Sequence, residues 1–269
     1  MNAVVIIPTY NEAGSIEDVI GRVLAADPRV DVLVVDDGSP DGTAALVRAL
    51  AAAGDRVHLL ERSAKQGLGA AYRAGFAWGL ERGYGAMVEM DADLSHPPER
   101  LPALLDGLER ADLVIGSRYV PGGRTVNWSP LRKAISRGGN LYVRLALRLP
   151  VHDATAGYRA YRREVLEALP VAAVESNGYC FQVEMVHRTW QEGFRVLEVP
   201  IAFTERATGV SKMSRQIVAE ALWRVTVWAL SGGRHRARPI HPRSVAQGVR
   251  GAQERGPDQG TSKPSKAER

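Results

Sequence analysis

Cysteine is nearly absent from this chain: Cys180 stands alone among 269 residues. That excludes an internal disulfide framework and fits a reducing compartment, with Cys180 itself read as a small buried hydrophobe. Long apolar runs are missing too. No stretch approaches the ~18 uninterrupted apolar residues of a membrane span, so the chain reads as soluble or peripheral. The N-terminal Met1-Asn2-Ala3-Val4-Val5-Ile6-Ile7-Pro8 lacks a basic n-region, and its apolar run is too short for a signal peptide. It reads as a first strand. No Gly-x-Gly-x-x-Gly follows that strand, which sets the chain apart from dinucleotide-binding domains. The absence of Gly-x-x-x-x-Gly-Lys-Ser/Thr leaves P-loop chemistry unsupported.

An excess of one charge is also missing from most of the chain, despite a net charge of +5. Nine of the 35 Lys/Arg and three of the 30 Asp/Glu follow Ser231, so residues 232–269 carry +6 and residues 1–231 carry −1. The body therefore has no nucleic-acid footprint. The tail is rich in Arg, Pro, Gly, Gln and Ser, a composition expected to be disordered. Its charge suits anionic headgroups or plain solubilisation. The expected division is a folded domain over 1–231 and a basic tail over 232–269.

What is present is a repeated strand–turn–helix rhythm. Val4 to Ile7, Asp31 to Val35, Val57 to Leu60, Ala86 to Met90 and Leu113 to Gly116 are short apolar runs of the kind found in doubly buried strands. Helical periodicity separates the earlier runs, as in Ile16, Val19, Ile20, Val23 and Leu24. Such alternation predicts a mostly parallel α/β sheet with its polar loops on one edge, where a nucleotide is expected. Gly67-x-Gly69 is read as a tight loop before a helix.

Two carboxylates, Asp91 and Asp93, close the fourth run in Asp91-Ala92-Asp93-Leu94-Ser95-His96. Hard oxygen donors without a companion His or Cys suit Mg²⁺ or Mn²⁺ rather than Zn²⁺. Mg²⁺ takes one or two carboxylates and completes its shell with water and substrate phosphates, so the pair points to an ion holding a diphosphate. His96 and His152 have no second His at metal spacing and read as loop hydrogen-bonders.

Several motifs agree in type, order and spacing with a known family. Pro8-Thr9-Tyr10-Asn11-Glu12, Val35-Asp36-Asp37-Gly38-Ser39-Pro40-Asp41-Gly42-Thr43 and Asp91-Ala92-Asp93 resemble an inverting glycosyltransferase of family 2 with a GT-A fold. Gly116-Ser117-Arg118-Tyr119, Arg132 to Gly138, Thr155-Ala156-Gly157-Tyr158-Arg159, Gly178 to Met185, Glu198-Val199-Pro200-Ile201 and Glu205-Arg206 with Gly209, Ser211 and Lys212 narrow the likeness. Together they look like the polyprenyl- or dolichyl-phosphate mannose synthases, over about residues 3 to 230.

The resemblance implies a single Rossmann-like GT-A domain whose mostly parallel sheet is flanked by helices, with amphipathic membrane-interface helices added. It implies transfer of mannose from GDP-mannose to a polyprenyl monophosphate, with inversion. Pro8, Tyr10 and Glu12 would border the nucleotide, and Val35 and Asp37 would lie near base and ribose. Asp91 and Asp93 would hold Mg²⁺ or Mn²⁺ on the diphosphate, with the Ala92 backbone close by. Ser95 stands where many relatives carry Gln, so its shorter hydroxyl would meet the metal directly or through water. Arg118, Arg206 and Lys212 would meet the sugar diphosphate or the acceptor phosphate.

Arg118, Arg132, Ser136 and Arg137 are the acceptor-phosphate candidates, since arginine offers a planar fork to phosphate oxygens. Arg132 and Ser136 are four apart and share a helix face. Residues 129–149 combine those arginines with many leucines and no acid, as a membrane-interface helix does. Ile217 to Leu230, with Trp223 and Trp228, is a second candidate, balanced against plain core packing. The expected place is the cytoplasmic face of a membrane, held peripherally by these helices or by a separate integral membrane protein. Two other readings stay open. One keeps the fold and takes UDP-glucose as donor; the other is a non-catalytic subunit that binds a nucleotide sugar.

Overall fold

The computed structural model describes residues 1–174, 176, 178–205 and 215–231, and of 215–221 the helical backbone alone. The expected tail over 232–269 lies outside the described residues, as do Arg206 and Lys212. In chain order the elements are β1 (Ala3–Thr9), α1 (Ile16–Ala26), β2 (Val30–Asp36), α2 (Thr43–Ala53), β3 (Val57–Glu61), α3 (Leu68–Glu81) and β4 (Ala86–Glu89). They continue with α4 (Leu101–Gly107), β5 (Leu113–Ser117), β6 (Arg124–Val126), α5 (Pro130–Ala146), β7 (Arg159–Arg162) and α6 (Arg163–Ala168). Then come α7 (Tyr179–Gln191), β8 (Val196–Pro200), β9 (Ala202–Thr204) and α8 (Arg215–Leu230).

Seven strands form one sheet in the order β3-β2-β1-β4-β7-β5-β8. All its pairs are parallel except those of β7, which runs antiparallel to both β4 and β5. The mostly parallel α/β sheet expected from the sequence is thus present, with one reversed strand inserted near its middle. The strand period of two sorts the apolar side chains to the two faces. Val4, Ile6, Leu33 and Val35 join one core, whereas Val5, Ile7, Val32 and Val34 join the other with α1. Both faces are covered, which is why these runs are continuously apolar. On the first face α3 presses close: a Cβ at Gly75 would stand 2.5 Å from Ile6 Cγ2.

β7 brings a fully buried arginine into the sheet. Arg159 pairs in register with Glu89 of β4, and its guanidinium donates to the carbonyls of Ala154, Ala156 and Gln182. These bonds fix the 154–157 turn beside the end of β4. Burial lifts the Glu89 carboxyl to about 8, against the pull of Arg159.

Another buried titratable group on this side is His187 of α7, packed beside Trp228 of α8. Burial, helped by Arg188, lowers its pKa from 6.5 to about 4. A depressed histidine pKa gives stability that is present above ~6.5 and lost as pH falls toward 4. His187→Leu is therefore expected to flatten the loss of unfolding free energy between those pH values by about 2–3 kcal/mol. Denaturant titrations at several pH values check it; an unchanged slope would refute the assignment.

α5 is half core and half surface. Val143 and Leu147 enter the core, while Leu131, Ile135, Leu141 and Leu145 face outward. In α8, Trp228 packs against the core and Trp223 is 69% exposed. Among the described residues no helix is long and apolar enough to cross a membrane.

Candidate active site

Loops after β1, β2 and β4 meet at the carboxyl edge of the sheet and enclose a cavity of about 370 Å³. β1 runs through Pro8 to Thr9, and Asn11 takes the left-handed conformation at φ 63°, which turns the chain across the edge. The loop is tied to the one after β2. Glu12 N donates to Thr43 Oγ1, and Ala13 N donates to Asp41 Oδ2. The paired aspartates after β2 divide their work. Asp36 accepts from Thr9 Oγ1, Ser39 N and Ser39 Oγ, and so builds the turn. Asp37 faces the cavity, with Gln66 N donating to Oδ2 and Arg62 Nη1 at 2.9 Å from Oδ1. Burial raises the Asp37 carboxyl above its ordinary value, with Arg62 pulling the other way.

β4 delivers Asp91 and Asp93 to the same cavity. Leu94, at φ 61°, is in a region costly for a bulky side chain, and the turn it makes brings Ser95 and His96 back beside the carboxylates. Tyr72 Oη, 3.5 Å from Asp91 Oδ1, donates to it; burial and the nearby carboxylate hold the phenol neutral. His96 is buried, which depresses its pKa; its Nδ1 accepts from Asp91 N at 3.3 Å. Ser95 N donates to Asp93 Oδ1, whereas Ser95 Oγ is buried with no hydrogen-bond partner among the described residues. An orphaned hydroxyl beside two carboxylates on a cavity wall is what a hydrated hard cation would satisfy. The residues therefore fit the Mg²⁺ or Mn²⁺ expected there, although no group of three His, Cys, Asp or Glu forms a closed metal site among the described residues.

The wall next to His96 is aromatic. Phe203 meets His96 and Trp128 edge-on at 5.2 and 5.5 Å, and Arg132 lies over Trp128 at 4.1 Å. Arg132 also pairs with Glu205. Arg118 lines the cavity but is already engaged: Nε and Nη2 grip Asp153 at 2.8 and 2.6 Å, and Nη2 reaches Thr155 Oγ1 at 2.9 Å. Burial would lower its pKa; Asp153 outweighs that and raises it.

Of the expected site residues, Pro8, Tyr10, Glu12, Asp37, Asp91, Ala92, Asp93, Ser95, Arg118 and Arg132 all line this cavity. Val35 does not: its side chain points into the core, as the residue before the last on a doubly covered strand must. Ser136 accepts from Tyr119 Oη, and Arg137 lines a separate cleft with Tyr119. The cavity adds Lys65, whose ammonium sits 3.8 Å over the Tyr10 ring, with Trp128 and Phe203 as shaping groups, and Tyr72 positions Asp91 from the core behind it. Their sequence signal is faint, since a lone lysine in a loop and single aromatic residues scattered over a helix, a loop and a short strand share no spacing.

Comparison with known proteins agrees with this architecture. The family model described as Glycosyl transferase family 2 matches residues 4–169. The chain is 56% identical over 238 residues, 88% of its length and 90% of the relative's, to a polyprenol monophosphomannose synthase of Mycolicibacterium smegmatis. It is also 56% identical over 231 residues, 86% of its length and 95% of the relative's, to an undecaprenyl-phosphate mannosyltransferase of Micrococcus luteus. Its fold is shared with a mannosyltransferase of Pyrobaculum calidifontis solved with GDP-Man and Mn²⁺, at 21% identity and a TM-score of 0.59, covering 87% of this chain and 66% of that one.

Proposed function

The chain belongs to glycosyl transferase family 2, and from that premise we propose that it transfers mannose from GDP-mannose to a polyprenyl monophosphate with inversion. The observation that carries this reading is a 56% identity, over most of both chains, to enzymes named for mannosyl transfer to polyprenyl phosphate. The cavity supports it. Asp91 and Asp93, at the end of β4, hold a divalent cation, with the Ser95 hydroxyl as a direct or water-bridged companion. Bound there, Mg²⁺ or Mn²⁺ neutralises the charge that grows on the departing diphosphate. Pro8, Tyr10, Glu12 and Asp37 border the nucleoside, and Arg206 and Lys212 take the phosphates that the family pattern gives them.

The acceptor needs little activation. A phosphate monoester has a second pKa of about 6 and is largely dianionic near neutral pH. One of its oxygens forms the new bond to the anomeric carbon, the old bond to the diphosphate breaks, and GDP leaves with the electron pair. No general base is required. The cations at the mouth then hold the acceptor in line, with Arg132 foremost because it reaches the cavity from α5. A lipid acceptor places the work at a membrane surface, the cytoplasmic face in this reading. The outward leucines of α5 and Trp223 of α8 support peripheral attachment, directly or beside an integral membrane partner.

The test is radiolabelled sugar transfer to a short polyprenyl phosphate, with GDP-mannose and UDP-glucose side by side and with Mg²⁺, Mn²⁺ or EDTA. Label in lipid from GDP-mannose, lost in EDTA, is expected. Label from UDP-glucose alone would overturn the donor, and no label from either would overturn the enzyme.

A further inference from the structure

A second cleft, of about 260 Å³, is lined by Tyr119, Arg137, Asn140, Leu141, Arg144 and His152. Arg137 and Arg144 are seven residues apart on α5, two turns along one face, with Leu141 between them. α5 contains no Asp or Glu, and among the described residues neither arginine forms an ion pair with a carboxylate. Two guanidinium groups facing one concavity repel each other unless an anion lies between them. Arginine forks match phosphate oxygens in particular.

What borders the cleft narrows the anion further. Leu141 and Leu145 are 54% and 68% exposed beside the arginines. A free inorganic ion makes no use of such leucines, whereas the chains of a lipid do. Helices that lie in a bilayer interface join cations at headgroup level to leucines just below in this way. We propose that this cleft holds the phosphate of an anionic phospholipid, with its acyl chains along Leu141 and Leu145. The proposal rests on the reading that the enzyme works at a membrane surface, and it assigns Arg137 to that lipid rather than to the acceptor.

The cleft backs onto the donor cavity. Asn140 donates to Thr155 Oγ1 at 3.0 Å, Thr155 N donates back to Asn140 Oδ1 at 3.2 Å, and Thr155 Oγ1 also accepts from Arg118. A headgroup seated there holds α5 against the bilayer and turns the cavity mouth toward the lipid acceptor.

The experiment is sedimentation of the full chain with vesicles of phosphatidylcholine, with and without phosphatidylglycerol. Arg144→Glu is compared with Arg110→Glu, which makes the same charge change at an exposed position after α4. At ~1 kcal/mol per basic residue near the surface, the reversal is expected to weaken binding to phosphatidylglycerol vesicles about tenfold or more. Arg110→Glu should change it little, Arg144→Lys should restore most of it, and Leu145→Asp should weaken it independently. Equal losses in Arg144→Glu and Arg110→Glu would reduce the effect to net charge and overturn the site. Competition by inorganic phosphate as strong as that by lipid would also overturn it, as would a loss in Arg144→Glu confined to vesicles of phosphatidylcholine doped with polyprenyl phosphate. Mannosyl transfer to a short soluble acceptor without vesicles is measured in parallel. It should be unchanged in Arg144→Glu, and a matching loss would assign the cleft to the acceptor instead. If wild-type protein transfers nothing, the functional reading fails, while the vesicle comparison still decides the lipid site.

Discussion

Asp91→Ala and Asp93→Ala are each expected to lower transfer to lipid about a thousandfold, with the unfolding midpoint little changed in Asp93→Ala and lowered by a few degrees in Asp91→Ala. Both carboxylates lie in the loop after β4 at the cavity, and neither supports the core. What they stabilise is the charge that develops on the departing diphosphate, and removing one such electrostatic partner costs about 10²–10³ in rate. The two differ in their side effects. Asp91 accepts from Tyr72 Oη, so Asp91→Ala strands a buried hydroxyl at a cost of about 1 kcal/mol. Asp91→Asn keeps an acceptor for that hydroxyl and removes the charge. Transfer should fall as far in Asp91→Asn as in Asp91→Ala, while the stability loss should disappear. Activity assays across a Mg²⁺ and Mn²⁺ series, beside thermal unfolding, separate the effects. Transfer retained in Asp91→Asn and unmoved by EDTA would remove the metal from the site.

The part of this site that was legible in the sequence is the part set by strand ends. A parallel sheet forces each apolar run to stop at the same edge, so the polar residues after β1, β2 and β4 had to converge. Tyr10, Glu12, Asp37, Asp91 and Asp93 all follow such runs, so the sequence alone brings them to one edge. β7 was harder. Arg-Ala-Tyr-Arg contains no apolar run, because Arg159 satisfies its charge on main-chain carbonyls and beside Glu89, partners supplied only by the tertiary fold. Val35 shows the opposite limit. Strand period assigns it to a face, and only the covering of that face by helices makes it core rather than site. Arg132 and Ser136 share a face of α5, as a spacing of four requires, yet only Arg132 lines the cavity, while Ser136 accepts from Tyr119 and Arg137 lines another cleft.

The second large effect concerns Arg118, which sequence motifs present as a cation free to meet phosphate. In the fold it is 6% exposed and Asp153 is fully buried, with two side-chain bonds and a third from Arg118 N to Asp153 Oδ2 at 2.9 Å. Glu198 holds this partner in place, accepting from the main-chain amides of His152 and Asp153. Removing one member of such a buried pair leaves the other charge without compensation, at about 3–5 kcal/mol. Asp153→Ala is accordingly expected to lower the unfolding free energy by that amount. Asp153→Asn, which keeps an acceptor, should lose about half as much. The double variant Arg118→Leu/Asp153→Leu should recover most of the stability, since apolar replacement of a buried pair is often neutral or better. Transfer should stay low in the double variant, because Arg118 also closes the cavity wall beside Thr155 and Trp128. Denaturant unfolding of the four proteins, with transfer assays on each, checks both halves. If Asp153→Ala is as stable as wild type, Arg118 reaches another partner and the pair is not its anchor. If the double variant regains transfer along with stability, Arg118 serves the fold alone and the phosphates are held by other cations.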